Sequence, residues 1–327
     1  MLAACVAVLA AGCGGSGDDE QQAAATSTSD VAPLTSQPGV EETSVASVTA
    51  TGDTSAIDDA RTVGDHRELD IAFVSDGTTL AGTLFLPARD GTYPALVWVH
   101  ASGELERLRY GDLVDAVVRS GVAFFSYDKR GVGESGGRCC PADDEDAGDV
   151  EFGEQAGDAV AALEAVRAVP QIDPGHVGYL GVSQAGWIVP IAATRSSDVA
   201  FVVLVSGATV TTGEEQFYSQ LTGDADQTDQ QQRSELSRQL AEHGASGFDP
   251  APYLAEMTVP ALWLFGSADG SIPTVESEAV LDGLKGEGKD FSYVVFDGAG
   301  HGLLDDSPPP PPEVIPTIVD WVVQHVR

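Results

Sequence analysis

The sequence predicts an α/β fold with a mostly parallel central sheet and helices on both faces. From about residue 65 to the C-terminus, short continuous apolar runs alternate with segments of helical periodicity. Strands buried on both faces read as continuous apolar runs, because helices cover each face of a parallel sheet. The 327-residue chain has 43% hydrophobic and 7% aromatic residues, which is enough for a substantial core.

The predicted domain, residues 65–327, begins with a β-hairpin. "ELDIAFVS" and "TLAGTLFLP" alternate apolar and polar residues around Asp76-Gly77, which is a strong turn signal. Further strands are predicted at "ALVWVH", "VAFFSYD", "HVGYLGV", "AFVVLVS", "ALWLFG" and "FSYVVFD". Helices are predicted between them at "GDLVDAVVRSG", "EQAGDAVAALEAVRAV" and "VESEAVLDGLKG", and "PEVIPTIVDWVVQHVR" is a closing amphipathic helix.

An insert at about residues 210–257 interrupts this alternation. It is polar, rich in Gln and Glu, and helical in parts, for example at "QTDQQQRSELSRQLAEHG". Because the insert follows a strand, we expect it to lie as a helical lid over the carboxyl edge of the sheet.

The N-terminal segments predict export from the cytoplasm. Residues 1–13, "MLAACVAVLAAGC", are apolar but too short to span a bilayer, which is typical of a secretory signal. "LAAGC" resembles a bacterial lipoprotein signal with the lipid on Cys13, although "LAAC" places the same pattern at Cys5. Residues 14–64 are an acidic tether rich in Ser, Thr and Ala, with too few apolar residues to fold. We therefore expect an extracytoplasmic cell-envelope lipoprotein, with plain secretion as the alternative.

The charge of the chain excludes two classes of partner. The 51 acidic residues outnumber the 16 basic ones, for a formal net charge of −35. Such a field repels nucleic acids and anionic lipid surfaces, so membrane contact is expected only through a lipid anchor at Cys13. The sequence does not indicate an oligomeric state.

Cys139 and Cys140 are adjacent, and the predicted compartment permits disulfides. Neighbouring Cα atoms lie about 3.8 Å apart, below the usual disulfide range of about 4.4–6.8 Å. A bridge between the two cysteines, two free thiols, and pairing between chains all remain open.

Two serines match the pattern Gly-x-Ser-x-Gly/Ala, and their contexts distinguish them. Ser183, in "HVGYLGVSQAGWIVPIAATR", follows a predicted strand and precedes a helical pattern, as a nucleophile elbow requires. Ser135, in "GVGESGG", is separated from its strand by "DKRG" and precedes "GGRCCP", which cannot begin a helix. The sequence therefore predicts Ser183 as the nucleophile.

A serine hydroxyl needs a base to remove its proton and an acid to orient that base. Asp269 follows the strand "ALWLFG", and His301 follows the strand "FSYVVFD" in the glycine-lined turn "GAGHGLL". The order Ser183, Asp269, His301 is the order of a catalytic triad on this type of sheet.

Hydrolysis also needs two N–H donors for the oxyanion. The backbone N–H of Gln184, after the nucleophile, is one predicted donor. The second is expected in "HASGE", at Ala101 or Ser102, and we favour Ser102. His100 is expected to brace this loop rather than to react.

Together these motifs resemble the α/β-hydrolase superfamily over about Glu68–Arg327. "YDKRGVGESGG" resembles the loop after the fourth strand, "GVSQAGW" the nucleophile elbow, and "LFGSAD" with "GAGHGL" the acid and histidine loops. The resemblance implies a serine hydrolase fold and triad, with Ser135 as part of a loop signature. It implies neither a metal nor an organic cofactor.

The predicted function is that of a carboxylic ester hydrolase, which forms an acyl-enzyme on Ser183 and acts on a small-molecule acyl ester. One alternative is a serine peptidase of the prolyl-oligopeptidase type, which we expect less because no large N-terminal domain precedes the predicted domain. Another is a lipoprotein that binds a ligand on this fold without turnover. The complete triad argues against that alternative.

Overall fold

The computed structural model describes residues 60–108, 111–139, 147–305 and 309–327. The predicted signal segment with Cys13 lies outside the described residues, as do Cys140 and the predicted tether before residue 60. None of the helices among the described residues is long and apolar enough to cross a membrane.

The strands of the described residues form one sheet in the order β1-β2-β3-β5-β4-β6-β7-β8-β9. Their bounds are β1 Arg61–Val63, β2 His66–Ser75, β3 Thr78–Pro87, β4 Tyr93–Val99, β5 Ala123–Tyr127, β6 Ile172–Val182, β7 Val202–Val205, β8 Ala261–Gly266 and β9 Phe291–Phe296. The pairs β1–β2, β2–β3 and β3–β5 are antiparallel, and all the other neighbours are parallel. The predicted mostly parallel α/β sheet is confirmed.

Helices cover both faces of this sheet. Their bounds are α1 Asp112–Arg119, α2 Ala147–Arg167, α3 Ala185–Arg195, α4 Thr212–Thr222, α5 Gln230–His243, α6 Ala251–Glu256, α7 Thr274–Gly286 and α8 Val314–His325. Alternate residues of a strand point to opposite faces, so Val97 of β4 packs in an apolar cluster with α2 and α3. Leu96 packs on the other face with α1 and α8.

The N-terminal edge of the sheet begins earlier than the sequence predicts. The predicted hairpin is present, and Asp76 (φ 45°) and Gly77 (φ 75°) both adopt the left-handed conformation that a two-residue turn favours. A further strand, β1, pairs with β2. Because β1 lies within the segment predicted as tether, residues 14–64, the sheet starts at Arg61 rather than near residue 65.

The insert between β7 and β8 contains α4, α5 and α6. A reciprocal capping box of Thr211 and Glu214 starts α4, and the Asp229 side chain caps α5. Tyr218, Leu236 and Leu240 form a small apolar core between these two helices. The insert is therefore helical, as predicted.

Candidate active site

Ser183 lies at the turn between β6 and α3, the position that a nucleophile elbow requires. Its φ of 54° is in the left-handed region, which costs a non-glycine residue about 1–2 kcal/mol. Two glycines make room for this turn. A Cβ on Gly181 would lie 2.6 Å from the Cβ of Ala185, and one on Gly186 would lie 2.3 Å from the backbone N of Ala208. Ala185 occupies a position of the elbow where glycine is commoner. Its methyl group fits there because Gly181, which faces it, has no side chain.

The three predicted triad residues meet at the carboxyl edge of the sheet. The Nε2 atom of His301 lies 3.0 Å from the Oγ atom of Ser183. On the other side of the ring, Nδ1 lies 2.9 Å from Oδ2 of Asp269. A neutral ring that donates from Nδ1 to the carboxylate leaves Nε2 free to accept the serine proton. This hydrogen-bond order is the one that nucleophilic acyl transfer needs.

The Asp269 side chain is held by the backbone of its own loop. Only 1% of the residue is exposed. Its Oδ1 atom accepts hydrogen bonds from the backbone N–H groups of Ser271 and Ile272, both at 2.8 Å. The other oxygen, Oδ2, is thereby directed at His301.

The electrostatic surroundings of His301 favour its protonated form. Burial alone lowers the pKa of the His301 imidazole, but the hydrogen bond and the charge of Asp269 act in the opposite direction. The charges of Glu215 and Asp305 add to this effect. The pKa of His301 therefore lies above its usual value, which suits a base that must take up a proton during the reaction.

A family model for the prolyl oligopeptidase family matches residues 113–327, which include Ser183, Asp269 and His301. The chain belongs to this family. As a member of the prolyl oligopeptidase family it is a serine hydrolase.

One known relative of this prolyl oligopeptidase family member is "Quorum-quenching protein AidA" of Acinetobacter baumannii (strain MDR-ZJ06). It is 27% identical over 135 residues, which are 41% of this chain and 42% of AidA. The chain thus matches less than half the length of that relative.

Two solved structures illustrate the fold. An acylaminoacyl peptidase of Pyrococcus horikoshii superposes with a TM-score of 0.60 at 19% identity, over 81% of this chain and 42% of that chain. Acetyl xylan esterase 1 of Thermoanaerobacterium sp. JW/SL YS485 superposes with a TM-score of 0.58 at 15% identity, over 82% of this chain and 86% of that chain. The family member therefore has the α/β-hydrolase fold, as predicted.

The Ser135 side chain is buried and hydrogen-bonded to the backbone of neighbouring segments. It is 8% exposed, its Oγ donates to the backbone oxygen of Asp128 at 2.7 Å, and it accepts from the backbone N–H of Ala81 at 3.0 Å. The Asp128 carboxylate pairs in turn with Arg107, at 2.6 Å. These contacts fit the prediction that Ser135 belongs to a loop signature.

The loop after β4 contains the second predicted oxyanion donor. His100 is 3% exposed, accepts from the indole N–H of Trp98 at Nδ1, and donates from Nε2 to the backbone oxygen of Tyr127. Burial lowers the pKa of His100 to about 4, so the ring is neutral and braces the loop as expected. Within the described part of the chain, the N–H groups of Ala101, Ser102 and Gln184 donate no hydrogen bond. All three are therefore available to an oxyanion.

Sequence reasoning missed two residues that contact or face His301. Ser206, at the end of β7, donates from Oγ to the backbone oxygen of His301 at 2.8 Å. Glu215, on α4 of the insert, lies 3.5 Å from the hydroxyl of Ser271, and its charge reaches both His301 and Asp269. Burial raises the pKa of the Glu215 carboxyl to about 7. Neither residue carries a motif, and only the folded chain brings them to the site.

The insert is hydrogen-bonded to the loop that carries Asp269. The Tyr218 hydroxyl donates to the backbone oxygen of Asp269 at 3.0 Å, and the backbone N–H of Gln227 donates to the backbone oxygen of Ala268 at 2.7 Å. The Thr222 hydroxyl donates to the backbone oxygen of Gly270. The insert therefore lies at the carboxyl edge of the sheet and supports the acid loop directly.

Cys139 is disulfide-bonded, and Cys140, one of its predicted partners, lies outside the described residues. Among the residues that the structure describes, no three His, Cys, Asp or Glu side chains are grouped so that they would hold a metal ion.

Proposed function

We propose that the protein is a carboxylic ester hydrolase that acts through an acyl-enzyme on Ser183. The observation that carries the proposal is the continuous chain of hydrogen bonds from Ser183 through His301 to Asp269, at 3.0 and 2.9 Å. The substrate class is a small-molecule acyl ester.

Acylation starts when the Ser183 hydroxyl attacks the ester carbonyl carbon. His301 takes the hydroxyl proton on Nε2, and Asp269 stabilises the imidazolium that forms. The carbonyl oxygen becomes an oxyanion, which the N–H groups of Gln184 and Ser102 bind. When the tetrahedral intermediate collapses, the bond to the alcohol breaks and His301 gives its proton to the departing alcohol oxygen.

Deacylation repeats these steps with water as the nucleophile. His301 removes a proton from a water molecule, and the resulting hydroxide attacks the acyl carbon. Collapse of the second tetrahedral intermediate breaks the bond to Ser183 Oγ, which takes the proton back from His301. The products are the free acid and the regenerated serine.

A fluorophosphonate probe tests this proposal directly. We expect the probe to label the peptide that contains Ser183 in the wild type, and we expect Ser183→Ala to lose both the label and the turnover of p-nitrophenyl esters. Ser135→Ala is the matched control, because it removes the serine of the rival motif, and it should keep the label. A folded wild-type protein that takes up no label would contradict the proposal and favour a ligand-binding protein without turnover.

A serine peptidase is the second candidate, because the chain belongs to the prolyl oligopeptidase family. The solved structures that share the fold include both classes, acetyl xylan esterase 1 and an acylaminoacyl peptidase, so a direct comparison of substrates is the test. Hydrolysis of p-nitrophenyl esters, from acetate to palmitate, should exceed that of matched peptide p-nitroanilides, and the reverse order would identify a peptidase.

We also propose that the protein is a cell-envelope lipoprotein with its lipid on Cys13, on the basis of the signal pattern alone. Metabolic labelling of the full chain with a palmitate analogue, in wild type, Cys13→Ala and Cys5→Ala, tests this. Label lost only in Cys13→Ala supports the proposal. Label lost only in Cys5→Ala would place the lipid on Cys5 instead. An unlabelled wild-type protein found in the medium would indicate plain secretion.

A further inference from the structure

Lys129 lies at the carboxyl end of β5 and is only 3% exposed. Its Nζ atom donates three hydrogen bonds, to the backbone oxygens of Ala101 at 3.1 Å and Gly103 at 3.2 Å, and to Oε1 of Gln184 at 3.1 Å. The three donors of the ammonium group are therefore all used. Their acceptors belong to two loops that are distant in the sequence.

The sheet order explains how one side chain reaches both loops. β4 lies between β5 and β6, and the three strands are parallel, so their carboxyl ends lie side by side. The loop after β4 contains Ala101 and Gly103, and the elbow after β6 contains Gln184. Lys129 extends from β5 across the end of β4 to the elbow.

The contact with Ala101 fixes the direction of the next N–H group. In a trans peptide the C=O and the following N–H point in opposite directions. Because the Ala101 oxygen points at Lys129 Nζ, the Ser102 N–H points away from Lys129. Within the part of the chain that the structure describes, this N–H has no acceptor, and neither has that of Gln184.

The neighbours of Lys129 hold its backbone firmly. The Asp128 carboxylate binds the Arg107 guanidinium, and the Arg130 guanidinium binds the Asp158 carboxylate, both as buried ion pairs. Lys129 itself makes no ion pair among the described residues, and all three of its acceptors are uncharged. A buried ammonium without a hydrogen-bonded carboxylate costs stability, and burial lowers the pKa of Lys129 to about 8 although the charge of Glu151 acts in the opposite direction.

We propose that Lys129 is a positioning residue for the oxyanion site, which holds the loop of Ser102 and the elbow of Gln184 at one fixed separation. The inference rests on the proposed function, because Ser102 and Gln184 are the two oxyanion donors of that reaction and Lys129 is the residue that would hold them in place. Lys129 does not contact the substrate. It acts through the peptide groups whose N–H would bind the oxyanion. Its positive charge lies on the carbonyl side of the Ala101–Ser102 peptide, where it favours a negative oxygen on the N–H side.

The test is a steady-state comparison of Lys129→Met in the full-length protein. Methionine has a similar length but neither charge nor donors. We expect kcat for p-nitrophenyl acetate to fall about 100-fold, the lower end of the loss found when an oxyanion donor is removed, and KM to change little. Lys129→Arg keeps the charge and the donors, so it should recover part of kcat.

Lys289→Met is the matched control for the loss of a lysine that binds backbone oxygens. Lys289 donates to the carbonyls of Ala255 and Met257 (2.8 Å for the latter), in a part of the fold that carries no proposed site residue. Its kcat should equal that of the wild type. A Lys129→Met variant that also keeps wild-type kcat would overturn the proposal.

Gln184→Met provides a test that does not depend on the folding of Lys129→Met, since it removes only one acceptor. It should lower kcat less than Lys129→Met does, again with KM retained, and unchanged kcat would count against the proposal. In a double-mutant cycle, the Gln184→Met change should add nothing in the Lys129→Met background, because Gln184 Oε1 acts through Lys129. Fully additive losses would overturn the inference.

Fluorophosphonate labelling separates failure of the proposed function from failure of the role of Lys129. A wild-type protein without label on Ser183 defeats the proposed function itself. A wild type that is labelled and active, together with a Lys129→Met variant of equal kcat, defeats only the inference about Lys129.

Discussion

Asp269 and His301 are joined through one carboxylate oxygen only. Oδ2 of Asp269 lies 2.9 Å from Nδ1 of His301, while Oδ1 accepts two backbone N–H bonds from its own loop. The backbone therefore sets the direction of the carboxylate, and the carboxylate sets the tautomer and the orientation of the ring.

Replacement of this carboxylate by an amide should disable the base without unfolding the protein. In Asp269→Asn the amide NH₂ that faces His301 would favour the opposite tautomer, with the proton on Nε2. We expect kcat for p-nitrophenyl esters to fall about 10⁴-fold with little change in KM. Asp297→Asn, an exposed acid at the end of β9, is the control and should remain active. A loss of less than tenfold in Asp269→Asn would contradict the assignment of Asp269 as the triad acid.

Activity should fall as the pH drops through the raised pKa of His301, because only the neutral ring accepts the Ser183 proton. Glu215 raises the pKa of His301 when it is ionised, that is, above its own pKa of about 7, so Glu215→Gln should move the acid limb of the kcat/KM profile to lower pH. Glu287→Gln, at the exposed end of α7, should leave the limb in place. An acid limb that does not move in Glu215→Gln would show that the dominant charge lies elsewhere, and a limb that moves to higher pH would contradict the effect of Glu215 on His301.

Ser135→Ala should cost stability rather than chemistry. The change removes the hydrogen bonds to the Asp128 carbonyl and from the Ala81 N–H, and both partner groups lie in a largely buried part of the fold. We expect the free energy of unfolding to fall by about 1–3 kcal/mol in urea denaturation, while the rate of fluorophosphonate labelling is kept. Loss of labelling in a variant that is still folded would reopen the choice of nucleophile.

Two glycine substitutions should have opposite effects on stability. A Cβ on Gly186 would lie 2.3 Å from the backbone N of Ala208, so Gly186→Ala should force α3 away from its neighbour and cost about 1–3 kcal/mol. A Cβ on Gly283, inside α7, would meet no atom within 4 Å, and Gly283→Ala should stabilise the protein by about 0.5–1 kcal/mol. Thermal and urea unfolding of the two variants measure the difference. Equal effects would mean that the close packing at the elbow relaxes freely.

The sequence predicts the elements of the core well, because burial on both faces leaves a periodic signal. The strands around Leu96 and Leu204 and the order of Ser183, Asp269 and His301 follow from that signal together with turn chemistry. β1 has no such signal, since its three residues are all exposed. A strand of that length is defined only by its pairing with β2.

The supporting residues of the site could not be predicted for a related reason. Lys129 is one of three consecutive charged residues, and nothing local distinguishes it from Asp128 or Arg130. Its role depends on the order of β5, β4 and β6 in the sheet, which brings together loops that are far apart in the chain. Glu215 depends in the same way on where α4 packs.

The hydrogen bonds between the insert and the acid loop limit how freely the insert can be exchanged between related proteins. Tyr218, Thr222 and Gln227 contact the backbone of Asp269 and of its two neighbours, so a chimaera that exchanged residues 210–257 would remove these supports of the triad acid. Transplantation of a whole insert between relatives should require a matched acid loop from the same donor.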